Sequence, residues 1–137
     1  MTGTPDPYVM YLVVRTSLKM NAGKTASQVG HAVMMLMLEW HGQMGETFIP
    51  PKEREKREER EQWYERQVVM GHWLKDNHPS YPKIVLAASD DEFMKVQLEN
   101  GGFLVVDNTL KTETVFGLWP CKKSEASETI KTLKPLR

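Results

Sequence analysis

Tyr8-Val-Met-Tyr-Leu-Val-Val14 runs directly into Arg15-Thr-Ser-Leu-Lys-Met-Asn-Ala-Gly-Lys-Thr-Ala-Ser-Gln-Val-Gly-His31. The first part, continuing to Thr16, is almost wholly apolar and β-rich, the pattern of a central strand buried on both faces. A small-residue turn with Gly23 follows and opens a helix from Ala22 to about His41. Along that helix Lys24, Gln28 and His31 are spaced four and three residues apart, which sets them near one face. A cation, an amide and an imidazole gathered where a strand ends and a helix begins form a polar site rather than a packing surface. The start of a helix also favours anions.

Working outward, Lys83 to Ala88 reads as a second strand, joined to the first through helices, which suits a right-handed parallel crossover. Ser89-Asp-Asp-Glu92 is a capping-box pattern opening a helix to about Glu99, with Asn100-Gly101-Gly102 as its stop. Phe103 to Val106 and Glu113 to Leu118 read as third and fourth strands, and their short link predicts an antiparallel pair. Gly42 to Pro51 reads as a loop and Lys52 to about Asp76 as a long helix. Six positive and six negative residues fall between Lys52 and Arg66, the mark of a solvated helix or of a face that contacts RNA or a partner. Trp63, Val69, Met70 and Trp73 offer a docking side, more suited to packing on the sheet than to stacking on bases. Ser124 to about Leu133 reads as a final amphipathic helix. The predicted fold is α/β: three layers, with a mixed four-stranded sheet and helices on both faces, in a single domain over residues 1–137.

Composition agrees with one compact domain. The chain has 137 residues, 40% of them hydrophobic, enough for a real core. Its one cysteine, Cys121, excludes an internal disulfide framework and fits a reducing cytoplasm, where it reads as an ordinary surface thiol. No secretory leader or membrane-spanning run is evident; the apolar stretch Ala32 to Leu38 is far too short to span a bilayer. Net charge is zero, which counts against strong, indiscriminate nucleic-acid binding. Charge is nevertheless grouped. Arg15, Lys19 and Lys24 have no acid between them, and Lys122 and Lys123 begin a basic C-terminal stretch, so local phosphate contacts remain open. The four histidines show no ligand spacing with cysteine or acids, so no metal or other cofactor is expected. Gly23-Lys24-Thr25 is not a P-loop, because the preceding glycine is missing at Walker spacing.

Arg15, Leu18-Lys19-Met20, Gly23-Lys24, Ala26, Gln28 and His31-Ala32 together resemble, at the same spacing, the signature of type II peptidyl-tRNA hydrolases. Ser17 stands where that signature carries Asp. Pro82 to Leu86 resembles the family's second strand, and Val105-Val106-Asp107 with Thr112 to Pro120 its last two strands. The resemblance covers most of the chain except Gln43 to Ser80. After Asp107 the connection is shorter than the family's by several residues and lacks its Thr-Gln pair and Pro/Gly loop.

The resemblance implies a cytoplasmic, metal-independent enzyme that cleaves the ester between a peptide or N-blocked amino acid and tRNA, with tRNA as partner and a homodimer as the assembly. Lys24 and Asp107 then carry the chemistry, supported by Gln28, His31, Thr109 and Thr112, while Arg15, Lys19, Lys24, Lys122 and Lys123 contact RNA. Asp107 must lie within reach of Lys24 and Gln28, because the third strand has to end beside the start of the first helix. On the bare residues Lys24 is equally a solvated lysine, His31 a core histidine and Asp107 a loop cap. Two rival functions accompany the first: an inactive tRNA- or protein-binding module on the same fold, and hydrolysis of a different small acyl ester or amide.

Overall fold

The computed structural model describes residues 6–46 and 57–137. The central strand β1 (Tyr8–Arg15) passes through a short 3-10 turn, Thr16–Leu18, into α1 (Ala22–Glu46). Then come α2 (Arg57–Lys75), β2 (Lys83–Ala88), α3 (Asp90–Glu99), β3 (Gly102–Asp107) and β4 (Thr112–Leu118). The chain ends with β5 (Cys121–Lys122), a second 3-10 turn at Lys123–Glu125, α4 (Glu128–Thr132) and β6 (Lys134–Pro135).

The sheet order is β3-β4-β1-β2-β6, with β5 pairing the start of β1. β1 and β2 are parallel, while β4 is antiparallel to both β1 and β3. The expected four strands therefore form the body of a mixed sheet. Two further strands of two residues each raise the total to six; pieces so short carry no periodicity and are made by their neighbours.

Alternation along β1 builds both cores. Val9, Tyr11 and Val13 pack with Phe93 and Val96 of α3 and Ile130 of α4. Met10, Leu12 and Val14 pack on the other face with Ala32 and Leu36 of α1 and Met70 and Trp73 of α2. All six strand residues are buried, so the apolar run is explained by helices on both faces of one strand.

The capping box at Ser89 and Glu92 forms in both directions. Three local expectations are corrected. The turn before α1 is made by Lys19, which adopts a left-handed conformation (φ 52°); Gly23 is already inside the helix. α1 runs on to Glu46, through the start of the expected loop, and the remainder of that loop lies outside the described residues, as do residues 52–56 of the expected charged helix. The final helix splits, because Ser127 caps a fresh turn by accepting from the Ile130 N–H, leaving only Glu128–Thr132 helical.

Candidate active site

β1 delivers the chain to one end of the sheet, where Thr16 Oγ1 donates to the Ala88 carbonyl and ties the exit of β1 to that of β2 (3.0 Å). Asn21 Oδ1 accepts the Lys24 backbone N–H at 2.7 Å and so caps the start of α1. Lys24 thus sits in the first helical turn, where a cation opposes the helix dipole and is better placed beside an anion.

The anion is Asp107. α1 lies over β3 and β4, and along β3 the residues Phe103, Val105 and Asp107 alternate onto the α1 face. Lys24 Nζ lies 2.7 Å from Asp107 Oδ1; the lysine side chain is 31% exposed and the aspartate 7%. Gln28, buried, donates from Nε2 to the same oxygen at 3.0 Å. The Leu110 N–H donates to Oδ2 at 2.6 Å, and the Lys111 N–H to the Asp107 carbonyl at 2.8 Å. Asp107 therefore caps the β3–β4 turn and faces Lys24 at once. The Lys24 ammonium first, then the Leu110 N–H, hold its carboxyl below the usual carboxylate range, against a smaller opposing push from burial.

Arg15 is engaged elsewhere. Its Nε meets Asp90 Oδ1 at 2.8 Å, and its Nη1 donates to Thr112 Oγ1 at 3.0 Å and to the Glu113 carbonyl at 3.3 Å. Ser17 Oγ donates to the same Asp90 oxygen. The Arg15 guanidinium clasps β1 to α3 and β4, and its hydrogen bonds hold Asp90 below the usual carboxylate range.

The structure thus brings Lys24, Gln28 and Asp107 together. Thr112 is beside them but bonded to Arg15, Thr109 is exposed on the turn, and His31 is exposed one helical turn beyond Gln28, outside the hydrogen-bond network. Lys19 is exposed in the turn that leads into α1. Lys122 and Lys123 are not near it. Lys122 pairs with Tyr8 at the opposite end of β1 from Arg15, roughly 23 Å away by strand rise. Cys121 is corrected too: it packs against the α3/α4 core, and desolvation pushes its thiol up to about 11.

One residue at the site was missed. Thr114 is fully buried and its Oγ1 donates to Gln28 Oε1 at 2.7 Å. Its place in the Thr112-Glu-Thr114 run, opposite the end of β3, is the one sequence signal that could have found it.

A mixed α/β sheet whose strand ends present a lysine, a buried amide and a carboxylate at the start of a capped helix defines the class: an α/β protein with a polar, anion-facing site. The family model for peptidyl-tRNA hydrolase PTH2 matches residues 8–136, nearly the whole chain, and the chain belongs to that family. No curated protein matches it.

Proposed function

We propose that this chain is an active peptidyl-tRNA hydrolase, cleaving the ester between a peptide or N-blocked amino acid and the terminal ribose of tRNA. Family membership supports a peptidyl-tRNA hydrolase-like function. The observation that carries the catalytic reading is the Lys24–Asp107 contact at 2.7 Å, with Gln28 on the same carboxylate oxygen.

The chemistry follows from the charges. Water adds to the ester carbonyl, one of its protons leaves on the ribose oxygen and the other passes to solvent, and a peptide carboxylate and free tRNA result. Lys24 is partly open to solvent and supplies positive charge to the developing oxyanion. Asp107, ionised at neutral pH, accepts a hydrogen bond from the attacking water, orienting it and drawing off its proton as the bond to carbon forms. Lys19 and Lys24 contact phosphates; Arg15, already clasped by Asp90, contributes by holding the site's frame. No step calls on a metal. Among the described residues no three His, Cys, Asp or Glu side chains gather as a metal site, and no helix is long and apolar enough to cross a membrane. A single cytoplasmic domain acting as a homodimer completes the reading.

The test is deacylation of N-acetyl-aminoacyl-tRNA, with and without EDTA. The wild type turns over in both, and Asp107→Asn loses roughly 10²–10⁴ in rate while tRNA affinity holds. A folded wild type that binds tRNA without turnover establishes the binding module instead. Cleavage of simple acyl esters in preference to tRNA esters establishes the third reading.

A further inference from the structure

Val115 packs on the α1 side of the sheet and Gly117 faces Met10, Leu12 and Ala32 there, while Phe116 and Leu118 pack on the α3/α4 side. Plain alternation would send Thr114 to the α3/α4 side. The register between β3 and β4 skips it: Val105 pairs with Val115, and Val106 with Glu113. Thr114 is the extra residue of a β-bulge, which re-aims its side chain.

The bulge turns Thr114 towards α1. Its Oγ1 lies 2.7 Å from Gln28 Oε1 and 3.3 Å from the Val105 carbonyl. A hydroxyl has one proton to donate, and the shorter contact takes it. Gln28 then has its oxygen committed to Thr114 and its NH₂ directed at Asp107 Oδ1, the oxygen that meets Lys24.

We propose that Thr114 is a positioning residue: its hydroxyl, delivered by the bulge, fixes the Gln28 amide so that Gln28 holds the Asp107 carboxylate against Lys24. Its effect on rate rests on the hydrolase reading; its effect on Gln28 does not. Without the hydroxyl, Gln28 Oε1 is a buried acceptor lacking a donor. The amide then swings to find one, and Asp107 loses a fixed partner.

Thr114→Val keeps the shape and removes the hydroxyl; Thr114→Ser keeps the hydroxyl. Both are compared with the wild type in single-turnover and steady-state deacylation of N-acetyl-aminoacyl-tRNA. Thr114→Val lowers kcat by about 10- to 100-fold, the scale of a small misplacement of a reacting group. KM stays within about twofold, because tRNA contacts are untouched. Thr114→Ser restores kcat. Independently, the Gln28 side-chain amide gives a protected, slowly exchanging pair of ¹⁵N-bound protons in the wild type and in Thr114→Ser, and loses that protection in Thr114→Val. An unchanged kcat, or an equally protected Gln28 amide in Thr114→Val, overturns the proposal. A wild type without turnover overturns the hydrolase reading alone, and the amide signal then decides the role of Thr114. Should Thr114→Val fail to fold, Thr114→Cys, of similar size with a weak donor, takes its place in both measurements.

Discussion

Gln28→Met removes the centre of the buried polar network while nearly conserving volume. Gln28 is 2% exposed and makes two hydrogen bonds, one accepted from Thr114 and one donated to Asp107. A neutral hydrogen bond contributes about 1 kcal/mol and one to a charged group about 1.5–3 kcal/mol. Neither partner is left alone. Thr114 can turn to the Val105 carbonyl, and Asp107 keeps Lys24 and the Leu110 N–H. The net loss is therefore held to about 1–3 kcal/mol. At about 3–4 °C per kcal/mol for a domain of this size, Tm falls by roughly 3–12 °C. Urea unfolding followed by tryptophan fluorescence reads the change as a lower midpoint at unchanged slope. Deacylation falls alongside it, by about 10-fold or more, because the carboxylate loses a fixed donor. Gln28→Glu sharpens the comparison, since a second carboxylate then sits beside Asp107. Its loss exceeds that of Gln28→Met at neutral pH and shrinks on acidification, as one of the pair takes a proton. A Gln28→Met protein as stable and as fast as the wild type refutes the idea that this amide organises the site.

Lys24→Ala weakens tRNA binding and makes its salt dependence shallower by about one unit of slope if the ammonium contacts a phosphate; filter binding at several salt concentrations reads it. Gly102→Ala destabilises the β3–β4 pair by about 1–3 kcal/mol or more, because the new Cβ collides with the Gly117 carbonyl oxygen, a backbone atom that cannot step aside. Calorimetry checks this. Cys121 resists thiol reagents at pH 8 in the folded protein and reacts quickly in urea. Its thiol rises from 9.0 unfolded to about 11 folded, so the stability it contributes is full below pH 9 and lost as pH climbs through 11. An alkaline titration of Tm reads that loss.

Much of this protein was legible in its sequence, and the reason is physical. A strand with six successive residues buried on both faces, Val9 to Val14, has to be apolar along them, so β1 announces itself, and with it a sheet covered on two sides. Capping is equally local: Ser89 and Glu92 need only each other's backbone. The spacing of Lys24 and Gln28 places both on one side of a helix, and chain order then puts the end of β3 beside them.

Tertiary structure decided what depends on register and on competition between partners. Angular spacing along the helix grouped His31 with Lys24, yet it lies a turn beyond Gln28 and clear of Asp107. Arg15 reads as a free phosphate ligand until Asp90, seventy-five residues away in sequence, engages it. Lys122 and Lys123 read as a second basic group, and where it lies relative to Lys24 is decided only when β5 pairs with the far end of β1. Thr109 and Thr112 read as supporting residues, whereas the hydroxyl that meets Gln28 belongs to Thr114. Period-two alternation assigns Thr114 to the wrong face, and only the pairing of β3 with β4 reveals the inserted residue that turns it round. Local patterns fix what each element is, because backbone geometry repeats over a few residues. Which side chains meet is set by how distant elements align, and one extra residue in one strand is enough to change it.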